Sequence, residues 1–167
     1  MAEECAAEGY AGTSVAGVTR RAGVSTASFY RQFKDKRECM QASFEELFGR
    51  LLEAIEAACG GEGDPAKKAR AGIAMAAGLL SSDPPTARLL ALEILAVGRE
   101  GALLQQDAIE RLAEALRRVR GADADSPPPF PSAEWAAAAA MVSLVAKRLA
   151  EGESLSAAEL EAVYARL

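Results

Sequence analysis

The sequence predicts an all-α protein of about nine helices. Of its 167 residues, 38 are alanine, the residue that forms helices best, and only 5% are aromatic. Apolar residues in the longer segments recur every three or four positions, and no segment alternates apolar and polar residues as a strand does. Half of the residues are hydrophobic, which is enough to build a buried core.

Four helices are predicted in the first third of the chain. Ser14 and Ser25 are suitable N-cap residues for the second and third helices, and Asp35 with Glu38 resembles a capping box that begins the long fourth helix. The fourth helix carries an apolar face, made of Met40, Phe44, Leu47, Phe48, Leu51 and Ile55. The predicted bounds are 3–8, 15–22, 26–33 and 36–58.

Five more helices are predicted in the remainder. Asp64 and Asp83 each precede a proline, the usual order of an N-cap and the first helical residue. Ser132 precedes an alanine-rich helix, and Ser156 with Glu159 resembles a capping box for the last one. Residues 121–131 contain four prolines and are expected to form a mobile loop or linker. The predicted bounds are 65–80, 84–97, 103–119, 133–150 and 157–167.

The charge of the chain is unevenly distributed. The whole chain has a net charge of −5, but residues 13–37 carry +5, so the rest carries −10. A short basic segment in an otherwise acidic chain indicates two separate tasks. We divide the chain into a head at residues 1–48, which contains the basic segment, and a body at residues 49–167.

The composition argues against several classes of function. Without histidine, the chain has no imidazole base and no histidine metal ligand. Cys5, Cys39 and Cys59 are too widely spaced for a zinc site or a disulfide framework, so we read them as small buried hydrophobes rather than thiol sensors. We expect a cytoplasmic protein that is not an enzyme, with no metal, cofactor or membrane span.

The second and third helices have the spacing of a helix-turn-helix, with a Gly-Val-Ser turn between them. The outward face of the third helix is predicted to hold small and hydrogen-bonding groups that can enter a major groove, namely Thr26, Ser28, Tyr30, Arg31 and Gln32. Arg20, Arg21 and Lys36 are expected beside phosphates. An ordinary solvated helical hairpin is the alternative reading of this spacing.

Residues 9–15 (GYAGTSV) and 22–36 (AGVSTASFYRQFKDK) resemble the DNA-binding head of the TetR family, and the resemblance covers about residues 5 to 48. It implies a dimeric, all-helical repressor that reads a palindrome and is released from DNA by a small molecule bound in its body. Carried over by position, it puts Thr26, Ala27 and Ser28 at base edges. It puts Tyr30, Arg31, Gln32, Lys36, Ser14 and Ser25 at the backbone, at flanking bases or at helix caps.

The sequence departs from the family pattern in the head. Ala16 and Gly17 stand where the family often has charged residues, so we expect weak base reading from the second helix. The first helix is about half the length usual for the family. Either the start is misassigned, or residues are missing at the N-terminus, or the head is less stable than usual, and each alternative would lower the DNA affinity.

The body is expected to hold a dimer interface and a ligand pocket. The resemblance places the interface on the last two helices, with candidate residues Ala136, Ala140, Leu144, Leu149, Leu160, Val163 and Tyr164. Scarce charge on the inner faces predicts a hydrophobic or amphipathic effector. The candidate pocket residues are Phe44, Phe48, Met75, Leu79, Leu90, Ile94, Leu112, Leu116, Trp135 and Met141.

The sequence therefore leaves two interpretations of the function. The first is a DNA-binding transcriptional regulator, a dimeric repressor released from a palindromic operator by a small, largely hydrophobic ligand. The second is a helical dimerisation or ligand-binding protein whose head binds DNA poorly, because its first helix is short.

Overall fold

The computed structural model describes residues 1–61, 63–121 and 131–166, and over these residues the chain forms nine α-helices, one 3-10 helix and no strand. The all-α prediction is confirmed. The helices are α1 (Ala2–Gly12), α2 (Val15–Ala22), α3 (Thr26–Gln32), α4 (Lys36–Ala58), α5 (Pro65–Ser82), α6 (Pro84–Ala91), α7 (Arg99–Arg120), α8 (Ala133–Glu151) and α9 (Ala157–Tyr164), with the 3-10 helix at Glu93–Val97.

Helices α1 to α3 and the first turns of α4 form the head. Its small core is made of Val18, Phe29 and Cys39, which are each at most 6% exposed. Helix α1 also packs against α6 and the 3-10 helix, and its Cys5 belongs to the core of the body. Head and body are therefore joined by α1 as well as by the continuous helix α4.

Helices α4 to α9 form the body around one apolar core. Met40, Leu89 and Ile94 are completely buried in it. The strongest packing is between α7 and α8 and between α4 and α5. None of the helices in the described ranges is both long enough and apolar enough to cross a lipid bilayer.

Most helix starts agree with the predicted N-caps, because a cap depends only on neighbouring residues. Asp35 accepts a hydrogen bond from the Glu38 N–H at 2.9 Å, and Ser132 accepts one from the Trp135 N–H at 3.1 Å. Ser156 makes no such bond, and Glu159 pairs with Arg148 instead, so the predicted capping box of the last helix is wrong.

The predicted sixth helix is shorter than expected. Helix α6 ends at Ala91, and the chain tightens into the 3-10 helix instead of continuing to residue 97. The reason lies in α7, where a Cβ on Gly101 would lie 1.9 Å from the carbonyl oxygen of Ile94. Helix α7 therefore packs directly on the backbone of the 3-10 helix, a contact that the local sequence does not reveal.

Three other boundaries differ from the prediction by three or more residues. Helix α7 begins at Arg99, where the sequence predicted residue 103. Helix α1 extends to Gly12 with a break at Gly9, whose φ is 67° and ψ 161°, where the sequence predicted an end at residue 8. Helix α9 ends at Tyr164. Residues 122–130 hold most of the predicted loop and lie outside the described residues, as does Leu167.

Candidate nucleic-acid interface and ligand cavity

Helix α2, a short turn and α3 form the predicted helix-turn-helix. Gly23 ends α2 in the left-handed conformation, with φ 67° and ψ 25°, which glycine adopts without steric cost. At the start of α2, Ser14 Oγ accepts a hydrogen bond from the Gly17 N–H at 3.0 Å. At the start of α3, Ser25 Oγ accepts one from the Ser28 N–H at 3.1 Å. Both serines therefore act as N-caps.

One face of α3 is open to solvent. Phe29 anchors the opposite face in the head core and is 5% exposed, whereas Tyr30 is 56% exposed. The predicted DNA-contacting residues of α3 are thus brought to one surface, with Ser28 half-buried and the others exposed: Thr26, Ala27, Tyr30, Arg31 and Gln32. This surface, residues 25–32, is the recognition face.

A chain of hydrogen bonds orders the middle of the recognition face. Ser25 Oγ and Ser28 Oγ lie 3.0 Å apart, and an Arg31 guanidinium N–H donates to Ser28 Oγ at 2.9 Å. The guanidinium has five N–H donors in a fixed plane, so one bond to Ser28 leaves others for a phosphate or a base. Arg31 is therefore hydrogen-bonded within the recognition face and keeps donors free.

The two arginines at the end of α2 have different surroundings. Arg21 Nε donates to Glu4 Oε2 at 2.9 Å, and its guanidinium also lies 3.9 Å from Glu3. Arg21 therefore ties α2 to α1. Arg20 is exposed at the end of the same helix, and of the two it is the better placed for a phosphate.

Close packing of α1 on α2 requires a glycine. Glu4 is 4% exposed, and a Cβ on Gly17 would lie 1.8 Å from Glu4 Oε1. A larger residue at position 17 would displace the carboxylate from its bond with Arg21. This contact explains why glycine stands at position 17, where the family that the head resembles often has a charged residue.

Lys36 is engaged inside the chain. Its ammonium donates to the carbonyl oxygens of Tyr10 at 2.8 Å, Thr13 at 2.9 Å and Ala11 at 3.3 Å, and it lies 4.6 Å from the centroid of the Tyr10 ring. An ammonium has three N–H donors. A phosphate contact, which the sequence predicted for Lys36, would have to replace one of these bonds.

The Tyr10 peptide joins the head to the body. The break at Gly9 leaves the Tyr10 N–H without a helical partner, and this N–H donates to Glu93 Oε2 at 2.8 Å. Glu93 follows α6, and its other oxygen accepts from Arg88 at 3.2 Å. The Tyr10 N–H thus bonds to Glu93 after α6, and the Tyr10 carbonyl oxygen accepts from Lys36 of α4. The backbone of this one residue of α1 therefore connects three helices, and we call this arrangement the Tyr10 junction.

A cavity of about 130 Å³ lies in the body between α4, α5, α6, α7 and α8. On α4 its lining runs from Phe44 to Cys59, and on α7 from Gln105 to Val119. At a rise of 1.5 Å per residue, each run corresponds to about 20 Å. The cavity is therefore elongated along these two helices. Apart from the Gln105 amide and the Cys59 thiol, the lining side chains are apolar.

Six of the ten predicted pocket residues line this cavity, namely Phe44, Phe48, Leu90, Leu112, Leu116 and Met141. The other four lie elsewhere. Met75 and Leu79 are 40% and 39% exposed on a neighbouring face of α5, and Ile94 is completely buried in the 3-10 helix. Trp135 is half-buried in the first turn of α8 and does not line the cavity.

The sequence did not identify the small residues of the cavity wall. Alanine and glycine leave the space unfilled because they have little or no side chain, and eight of them line it: Ala69, Gly72, Ala76, Ala87, Ala91, Ala108, Ala115 and Ala138. In the sequence these residues only indicate helix. Leu51 and Ile55 also line the cavity, and they belong to the apolar face of α4 that the sequence did indicate.

The candidate dimer residues are divided between surface and interior. Ala136 and Ala140 are exposed on α8, and Leu144, Leu149, Val163 and Tyr164 are half-buried. Leu160 is 4% exposed and lines the cavity, so its side chain lies inside the subunit. Of these candidates, only Ala136 and Ala140 are therefore exposed to solvent.

The three thiols are free and poorly reactive. Cys5 and Cys39 are buried and Cys59 is half-buried. Burial raises the pKa of all three, which keeps the nucleophilic thiolate scarce. No group of three or more Cys, Asp or Glu residues suited to a metal ion occurs in the described ranges.

Comparison with known proteins supports the reading of the head. The model of the family described as "Bacterial regulatory proteins, tetR family" matches residues 2–43, and no curated protein sequence matches the chain. Residues 2–43 hold all three head helices and the start of α4, including the recognition face.

Solved structures share the fold over almost the whole chain. PfmR, a TetR family transcriptional regulator from Thermus thermophilus, matches with 21% identity and a TM-score of 0.69, covering 98% of this chain and 91% of that one. The fatty acid degradation regulator FadR from Bacillus halodurans has 20% identity, a TM-score of 0.79 and coverages of 98% and 88%.

A third solved structure contains a ligand. It is the transcriptional regulator FadR from Bacillus subtilis in complex with stearoyl-CoA, with 19% identity, a TM-score of 0.76 and coverages of 97% and 90%. At these identities the likeness concerns the fold. Residues 2–43 are therefore similar to the tetR family of bacterial regulatory proteins, and the described length of the chain has the fold of these solved regulators.

Proposed function

We propose that the chain is a dimeric repressor that leaves a palindromic operator when a small, largely hydrophobic ligand enters its body. The observation that carries the proposal is the recognition face, an exposed row of hydrogen-bonding side chains anchored by Phe29. Hydroxyl and guanidinium groups on a helix that fits a major groove are the usual means of reading base edges.

Dimerisation is part of the proposal because one helix-turn-helix reads only half of a palindrome. Two half-sites lie about 34–36 Å apart, one turn of DNA. The exposed face of α8, with Ala136 and Ala140 at its centre, supports a seam in which a second copy packs closely. Half-buried residues of α9, such as Val163 and Tyr164, would lie beside that seam.

Ligand release is proposed to act through the Tyr10 junction. Leu90 and Ala91 line the cavity near the end of α6, and Glu93 follows two residues later. A ligand that moves the end of α6 would pull on the Tyr10 peptide and hence on α1 and α4. The spacing of the two recognition faces would then change, which shifts the population away from the DNA-binding form. FadR from Bacillus subtilis, bound to stearoyl-CoA, supports an apolar chain as a ligand for this fold.

DNA binding is tested with duplexes from the region upstream of the chain's own gene, by fluorescence anisotropy between about 50 and 200 mM salt. We expect a steep loss of affinity with salt and a preference over random duplex. Thr26→Ala should relax the sequence preference, by about 1–3 kcal/mol for a specific base contact, and Arg31→Ala should weaken binding to every sequence and reduce the salt slope by about 1. Arg99→Ala, an exposed cation of the body, is the matched control. Equal and weak binding to all duplexes would refute the proposal.

The second candidate function is a ligand-binding dimer with a weak head. It is favoured by the engagement of Arg21 with Glu4 and of Lys36 with three carbonyl oxygens, which occupies two cations expected at phosphates. This candidate predicts that DNA affinity depends only weakly on salt and that Thr26→Ala leaves the sequence preference unchanged, whereas ligand binding would remain.

A further inference from the structure

The end of the cavity farther from the head adjoins a second, polar pocket. Cys59, Ala115 and Val119 line both spaces, which therefore lie side by side at the ends of α4 and α7. The polar pocket is completed by the charged side chains of Glu56, Lys68 and Arg118. With two cations and one anion, this mouth has a net positive charge on a body that is otherwise acidic.

The cations of the mouth are open to a new partner. Arg118 pairs with Glu56 at 2.9 Å and also lies 3.7 Å from Glu114, but the three side chains are 55%, 38% and 45% exposed, and pairs of this kind are weak and exchange readily. Lys68 is half-buried, and its ammonium makes no hydrogen bond or ion pair with any residue in the described ranges. An anion that reached the mouth could therefore pair with the Lys68 ammonium without displacing any of these residues.

The opposite end of the cavity offers nothing to a charged group. It is lined by apolar side chains such as Phe44 and Leu90, and its one polar group, the Gln105 amide, lies 3.4 Å from the Ala91 carbonyl oxygen and donates to it. A charge placed there would be buried without a partner, which is strongly unfavourable. An amphipathic ligand therefore has one favourable orientation, with its chain toward the head and its charge at the mouth.

We propose that the ligand is an unbranched aliphatic chain that ends in an anionic group, with the chain lying along α4 and α7 and the anion at Lys68 and Arg118. The elongated shape of the cavity favours a chain over a compact ring system, and the mouth selects the charge. This inference rests on the proposed function only in taking the cavity as the effector site. A free carboxylate and a phosphate-bearing thioester share the required chemistry.

Direct binding to the full chain tests the ligand class. Hexadecanoate, hexadecanoyl-coenzyme A and hexadecanol are each titrated by calorimetry below the concentration at which they aggregate. We expect hexadecanoate, the thioester or both to bind about tenfold more tightly than the alcohol, since a charged hydrogen bond contributes about 1.5–3 kcal/mol. Whichever anion binds identifies the source of the charge.

Variants at the mouth test its position. Lys68→Met and Arg118→Met should each weaken anion binding severalfold and leave hexadecanol binding unchanged. Glu56→Gln should strengthen anion binding because it removes one of the two carboxylates beside Arg118. Lys67→Met is the matched control, since Lys67 is exposed beside Lys68 and does not line the pocket. Equal affinity for hexadecanol and hexadecanoate, equal effects of Lys67→Met and Lys68→Met, or no binding of any chain would overturn the inference. Operator affinity measured without ligand decides the proposed function separately.

Discussion

Replacing Gly101 by alanine should destabilise the protein, because the added Cβ would overlap the backbone of the 3-10 helix. The Cβ would lie 1.9 Å from the Ile94 carbonyl oxygen, 3.0 Å from the Ile94 carbonyl carbon and 3.1 Å from the Val97 Cβ, while ordinary contact begins at 3.4 Å. Relief therefore requires a backbone shift of more than about 1 Å in α7 or in the 3-10 helix. Overpacking of this kind costs about 1–3 kcal/mol, against at most about 1 kcal/mol gained in helix propensity.

Thermal unfolding followed by circular dichroism measures the effect. A loss of about 2 kcal/mol lowers the Tm by about 4–8 °C for a chain of this size. Gly78→Ala is the matched control, because Gly78 is exposed in α5 and a Cβ there meets nothing within 4 Å. We expect that control to raise the Tm by a few degrees. A Gly101→Ala variant that melts at or above the wild type would refute the packing argument.

Three further predictions concern the Tyr10 junction and the thiols. Lys36→Met should lower the Tm, since it removes a charged donor from three carbonyl oxygens. Lys34→Met, at an exposed lysine nearby, is the matched control and should lower the Tm less. If Lys36→Met instead leaves the Tm unchanged and reduces the salt slope of DNA binding, Lys36 contacts a phosphate. Glu93→Ala should cost about 1–3 kcal/mol in denaturant unfolding, because the Tyr10 N–H loses its acceptor, while Glu93→Gln keeps an acceptor and should lose less. Burial raises the pKa of Cys5 above 9.0, so the native state holds its proton more tightly than the unfolded chain. The stability that this thiol contributes is therefore present at neutral pH and is lost as the pH rises through its native pKa. Above about pH 9 the urea midpoint of the wild type should fall with pH, and in Cys5→Ala it should fall less steeply. An equally steep fall of the midpoint in Cys5→Ala would contradict this.

Features that depend on neighbouring residues were predictable from the sequence. Ser14, Ser25 and Asp35 act as N-caps as expected, since the bond of a cap reaches only two or three residues along the chain. The exposed face of α3 followed from helical periodicity once Phe29 was taken as its buried anchor. The family resemblance of the head rests on the same short segment.

Features that depend on distant residues were not predictable. The end of α6 at Ala91 is determined by the packing of Gly101 on the 3-10 helix, and the bonds of Lys36 depend on where α1 ends in space. For the cavity, the apolar face of α4 was evident, but the sequence could not show which alanines of α5 and α7 would face it. Leu160 was therefore assigned to the dimer interface, although it is buried and lines the cavity.

The alanine-lined cavity also bears on how long the protein survives in a cell. At about 24 cal/mol for each Å³ of unfilled space, a volume of 130 Å³ corresponds to about 3 kcal/mol of missing packing, a large share of the stability of an ordinary domain. A bound chain would restore that packing, so the empty protein should unfold more often and reach proteases sooner. The ligand would then govern how much of the regulator is present as well as whether it holds DNA.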